Sequence, residues 1–120
     1  MADSPFRTAA TLEAYQRKLA EGVPRSLRFL APTWKGKHWF IAQNEYPYDK
    51  IAARHDLLCP IRVFAQDWEM TKAERGELNE IRQRIASEGT YDILLENIHH
   101  ERTVLSHYHL HLIKYKPYAE

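Results

Sequence analysis

The chain is short of most features that would assign it at once. It has one cysteine, Cys59, so no intrachain disulfide can form, as expected in a reducing compartment. It has four glycines and no glycine-rich tract, which argues against a phosphate-cradling loop or a dinucleotide fingerprint. It has almost no net charge: 17 basic against 16 acidic residues leave +1, removing the electrostatic basis for holding duplex nucleic acid or an acidic membrane surface. No apolar run approaches a membrane span, and Met1 to Arg7 has no apolar segment of the kind a secretion signal carries. These absences lead to the expectation of a cytoplasmic protein. What the chain does have is 44% apolar residues in 120, enough for a real core. We expect a single domain over 1–120, with 1–24 as a helical N-terminal extension.

The apolar spacing predicts a helix from Thr8 to Glu21, carried by Leu12, Tyr15 and Leu19 and stopped by Gly22 and Pro24. Short strands are expected from Ser26 to Ala31, His38 to Gln43 and Asp56 to Pro60, with a turn at Lys35-Gly36-Lys37 and an irregular one from Asn44 to Tyr48. The clearest element is a long helix. Thr71 with Glu74 makes a capping box, Leu78, Ile81 and Ile85 share a face, and Gly89 sits at the C-cap. The charges on its other face (Lys72, Arg75, Glu80, Arg82, Arg84) read as solvated. Two strands follow, Tyr91 to Glu96 and Ser106 to Tyr115. The order predicts an α+β fold: an antiparallel five-stranded sheet with one long helix packed on it and a short N-terminal helix.

Histidine is the unusual residue, with seven in the chain. In His107-Tyr108-His109-Leu110-His111-Leu112-Ile113, strand alternation puts three histidines on one face, expected to meet a cleft or solvent, and Tyr108, Leu110 and Leu112 on the core face. Three alternating histidines arise by chance in roughly 2 of 100 chains of this composition. Same-face neighbours lie about 7 Å apart, so a His-x-His pair can chelate an ion, with His55, His99 or His100 as a further ligand. From spacing alone, a metal site and metal-free catalysis stand level. Cys59 reads as a small buried filler, and Trp34, Trp39 and Trp68 as core or interface residues.

The run resembles the H-φ-H-φ-H-φ-φ signature of the histidine triad (HIT) superfamily, where φ is apolar and Tyr108 is counted so. Asn44-Glu45-Tyr46-Pro47-Tyr48 is similar to the N-x-Y-P-Y turn of HIT hydrolases. His55 to Arg62 is similar to their H-x-L-φ-φ-P-x-R strand, and Leu94-Leu95-Glu96-Asn97 to the strand and asparagine before the triad. These features follow the family's order from about Phe29 to Tyr115.

The resemblance implies a covalent mechanism. His109 attacks the α-phosphorus of a nucleotide and forms a nucleotidyl-histidine that water or another acceptor resolves. The His107 carbonyl accepts a bond from one His109 ring nitrogen and leaves the other to attack. His111 and His55 contact non-bridging phosphate oxygens, Asn44 the ribose hydroxyls, and Asn97 the phosphate or leaving group. The family's transferase branch has glutamine in place of the third histidine, so His111 favours a hydrolase of phosphoanhydride or phosphoramidate bonds. The implied substrate is a purine nucleoside phosphate derivative and the implied assembly a homodimer. The chemistry requires no metal and no cofactor. The chain departs from the family pattern twice. Asp49 to Arg54 makes the turn before His55 three residues longer than usual. The stretch from Ile98 to Ser106 has no glycine, leaving Thr103 or Ser106 to touch the phosphate and Arg102 to clamp it. Two alternatives stand beside the enzyme: a nucleotide-binding protein without turnover, and a histidine-based metal-binding protein.

Overall fold

The computed structural model describes residues 4–21, 27, 30–98 and 107–117. In chain order the elements are helix α1 (Ala9–Ala20), strands β1 (Pro32–Lys35), β2 (Trp39–Gln43) and β3 (Ala52–Pro60), helix α2 (Lys72–Glu88), and strands β4 (Ile93–Leu95) and β5 (Leu110–Tyr115). The strands form one antiparallel sheet in the order β1-β2-β3-β5-β4, so the last strand inserts between β3 and β4. The fold is α+β. No helix among the described residues is long and apolar enough to cross a membrane.

Alternation along the strands gives the sheet two faces with different work. On one, Trp39, Ile41, Leu58, Leu110 and Leu112 meet Leu78 and Ile81 of α2, with Phe64, Met70 and Tyr108 completing the main core. On the other, Phe40, Ala42, Leu57 and Cys59 form a smaller cluster with Leu27. This second face also carries the histidines. His111 pairs with Leu57 on one side and Leu95 on the other, and His55 pairs with Ile113.

Helix α2 is fastened at both ends. The Thr71 hydroxyl accepts from the Glu74 amide at 3.1 Å, and the Glu74 carboxylate accepts from the Thr71 amide at 2.7 Å. Arg62 grips the same carboxylate with two N–H groups, at 2.8 and 3.1 Å. Burial opposes the Glu74 charge, but these hydrogen bonds outweigh it and hold the carboxyl below the ordinary glutamate range. Gly89 ends the helix at φ 68°, the left-handed conformation that favours glycine. The Trp39 indole N–H donates to the Glu74 carbonyl at 2.8 Å, pinning the helix to the sheet.

Several expected boundaries move. The first strand among the described residues is Pro32–Lys35; of the expected strand from Ser26 to Ala31, residues 26, 28 and 29 lie outside the described residues, and the Leu27 carbonyl accepts from the Leu30 amide at 3.0 Å, a turn-type bond. Apolar content there reflects packing of Leu27 and Leu30 against the sheet, not strand pairing. Strand β3 starts four residues early, at Ala52, because the longer turn feeds directly into the ladder. Strand β5 starts at Leu110, so His107 and His109 precede it. Cys59 is fully buried, and desolvation pushes its thiol far above the usual range. Trp39 is core and Trp34 packs against it, whereas Trp68 is exposed.

Candidate active site

The hydrogen bonds around the histidines determine their tautomers. The Tyr48 amide donates to His55 Nδ1 at 2.9 Å, so that nitrogen carries no proton. His55 is neutral, its pKa lowered to about 4 by burial first and then by the charges of Arg7 and His109. Its proton therefore sits on Nε2, which donates to His111 Nδ1 at 2.8 Å. His111 is lowered further, to about 2, by the same desolvation and by its charged or chargeable neighbours His109, His55 and Arg7. Neutral and accepting at Nδ1, His111 carries its proton on Nε2. One backbone amide thus sets the protonation of two rings in series.

His109 is half-buried, with its ring centroid 5.0 Å from that of His111. His109 Nδ1–H donates to the His107 carbonyl at 2.9 Å, which in the neutral ring puts the lone pair on Nε2. His107 itself is buried, its Nε2–H donating to the Pro60 carbonyl at 3.1 Å. The backbone between the two histidines is held because the Tyr108 amide donates to the Phe64 carbonyl at 2.6 Å, with the Tyr108 ring stacked on Phe64. The Tyr108 hydroxyl donates to Glu96, tying this segment to the end of β4.

A cavity of about 330 Å³ opens beside His111, lined by Phe6, Tyr48, Leu95, Glu96, Asn97 and Ile98. That volume lies within the range of small-molecule sites. The Tyr48 ring stacks on His111 at 5.1 Å and tilts against His55 at 4.4 Å. Among the described residues, no group of three or more His, Cys, Asp and Glu side chains is placed to hold a metal ion.

A comparison with solved structures decides what this fold is similar to. A histidine triad protein from Clostridium difficile superposes on 88% of this chain and 92% of its own, with a TM-score of 0.52 at 16% identity. The fold is histidine-triad-like. No family model matches the chain, and no curated protein does.

In this histidine-triad-like fold the residues singled out from the sequence fall into three groups. His107, His109, His111 and His55 come together, but three of the four are buried instead of facing open cleft or solvent. Burial is tolerated because the rings are engaged by backbone or by each other, and His55 and His111 are neutral. Both nitrogens of His55 have hydrogen-bond partners, the Tyr48 amide at Nδ1 and His111 Nδ1 at Nε2. Asn97 lines the cavity with His111. Asn44 does not: its side-chain oxygen accepts from the Tyr46 amide at 2.9 Å, making the turn, and the residue is buried against His55. Arg102, Thr103 and Ser106, with His99 and His100, lie outside the described residues. Phe6, Leu95 and Ile98 are cavity residues that sequence reading missed. Their only signal was apolar character in segments lacking a clear period.

Proposed function

We propose that the chain is a nucleotide-phosphate hydrolase or nucleotidyl transferase that acts at an α-phosphate through a covalent nucleotidyl-histidine on His109. The observation that carries this reading is the hydrogen bond from His109 Nδ1–H to the His107 carbonyl, the tautomer in which the lone pair of a neutral imidazole is on Nε2. In the first step Nε2 bonds to the α-phosphorus. The bond from phosphorus to the leaving oxygen or nitrogen breaks, and its electron pair departs with the leaving group, which takes up a proton. In the second step water attacks the phosphorus, the P–N bond breaks back to His109, and a mononucleotide and a proton are released. His111 Nε2–H donates to a non-bridging oxygen as charge builds there, and His55 holds His111 in the tautomer that can donate. Asn97, a lining residue of the cavity, contacts the phosphate or the leaving group in this reading. Retention of His111, where a glutamine would mark a transferase, favours hydrolysis. We further propose a purine nucleoside phosphate derivative as substrate and a homodimer as the assembly, joined through a sheet edge.

The test is intact-protein mass spectrometry after brief exposure to an adenylate donor with a good leaving group, with released nucleotide measured in the same sample. Wild type is expected to show the nucleotidyl adduct, or released mononucleotide where the adduct turns over quickly. His109→Ala is expected to show neither, with turnover down by more than roughly 10⁴-fold. Equal turnover in the two proteins would sink the reading. Binding of nucleotide with neither adduct nor release would point to a nucleotide-binding protein without turnover.

A further inference from the structure

Residues 4–20 lie outside the sheet, yet one of them reaches the cavity. Phe6 lines it with His111 and Asn97, resting on the Tyr48 ring at a centroid distance of 4.9 Å and an interplanar angle of 28°. Although stacked, Phe6 keeps 39% of its surface exposed. The remaining apolar lining, Tyr48, Leu95 and Ile98, makes this part of the cavity suited to a flat uncharged ring.

Apolar burial does not explain why Phe6 stays there. Tyr15 is the only buried residue of α1. The segment is held instead by polar contacts to the long turn. The Asp49 carboxylate accepts from the Thr8 amide at 2.8 Å, from the Thr8 hydroxyl at 3.0 Å and from the Thr11 hydroxyl. It thereby caps α1 from a distance of 41 residues in sequence. Beside it, the Lys50 amide donates to the Phe6 carbonyl at 2.8 Å and the Lys50 ammonium to the Ser4 carbonyl at 2.7 Å. Arg7 Nε–H donates to the Tyr46 carbonyl at 2.9 Å, while its guanidinium packs on the Tyr15 and Tyr48 rings at 4.4 and 4.8 Å. The contacts fix the segment around Phe6 itself.

We infer that the N-terminal segment is a working wall of the ligand cavity, in which Phe6 stacks on a flat aromatic ring of the ligand and sets ring preference, and Asp49 is the positioning residue that latches Phe6 in place. The inference rests on the cavity serving the reaction proposed above. The ring is either the nucleobase or an aromatic leaving group, and the chemistry of recognition is the same for both.

The test measures dissociation constants by calorimetry for two pairs of probes that do not turn over. AMP is set against ribose 5-phosphate, and naphthylmethyl phosphate against methyl phosphate. Wild type is expected to prefer the ring-bearing member of at least one pair, and which pair identifies the source of the ring. Phe6→Ala is expected to weaken that member roughly tenfold and leave its ringless partner unchanged. Asp49→Ala is expected to match this loss, Asp49→Asn, which keeps one acceptor oxygen, to recover part of it, and the double variant to lose no more than either single one. No ring preference in wild type, or equal losses on ring-bearing and ringless probes, overturns the role of Phe6. Additive losses in the double variant overturn the role of Asp49. Absence of adduct and turnover in wild type, with ring preference intact, would instead count against the proposed reaction and not against this wall.

Discussion

At the scale of single residues, the site turns on which nitrogen of each histidine carries its proton. A lone Tyr48 amide decides this for His55 and, through it, for His111. Removing the relay while keeping the cavity tests it. His55→Ala is expected to lower kcat more than it raises KM, because substrate still meets His111 but no longer in a fixed tautomer. His111→Ala is expected to cost roughly 10²–10³ in kcat, as loss of a donor to a developing anion does. The same two rings make a prediction about stability. Their folded pKa values lie below the ordinary 6.5, near 4 and near 2. As pH falls from about 6.5 to about 4, the unfolded chain takes up protons at both positions and the folded chain resists. Stability is therefore fully present above 6.5 and is lost by about 1.4 kcal/mol per pH unit for each histidine through that window. Denaturant titrations at pH 7, 5.5 and 4.5 check this. The double variant His55→Gln/His111→Gln is expected to flatten the slope. The histidines were legible as a group in sequence, since alternation at 107, 109 and 111 is a local pattern. The bond between His55 and His111 was not, because it joins residues 56 apart and depends on which strands become neighbours. The burial of these rings was hidden for a similar reason: a composition rule expects histidine to seek water unless the partners that make its burial tolerable are known.

At the scale of elements, the parts whose signals are local came out as read. Helix α2 begins at the Thr71 cap and ends at Gly89, since both caps are built from residues within one turn of the end they close. Thr71→Ala is expected to cost about 1 kcal/mol, measured as a shift in denaturant midpoint at unchanged slope. Gly89→Ala is expected to cost a similar amount, about 1 kcal/mol, through the strain of φ 68° on a side chain. Segments read wrongly were short and apolar without period. Leu27 and Leu30 are joined by a turn-type hydrogen bond and pack on the sheet, and Ile98, which reads as an ordinary apolar residue, is 84% exposed where it lines the cavity. A hydrophobic side chain says that something will cover it, or that it will contact a ligand, but not which backbone conformation carries it. The role of Asp49 was likewise invisible, because a helix is normally capped by its own neighbours and this one is also capped by a distant turn.

At the scale of the whole molecule, stability is unevenly spread. The main core lies between the sheet and α2, where Leu58, Leu78, Leu110 and Leu112 are fully buried. Leu58→Ala is expected to cost about 2–5 kcal/mol there. Helix α1 is attached by polar contacts and one buried tyrosine. Its amides are expected to exchange with solvent through a local opening well below the free energy of global unfolding, at rates insensitive to low denaturant, while those of α2, β3 and β5 exchange only by global unfolding. Hydrogen exchange followed by mass spectrometry separates the two. The α+β class could be read from the run of three strands joined by short turns, but the strand order could not, because nothing local says that the last strand takes the place beside β3. That order governs when the site can exist. His55 waits in β3 and Leu95 in β4, and each gains its neighbour only when β5 slides between them. While the chain is being synthesised, the ribosome has therefore released nearly every strand before the histidine pair can close, and the histidine cluster arises with the last stitch of the sheet, not from any precursor of it.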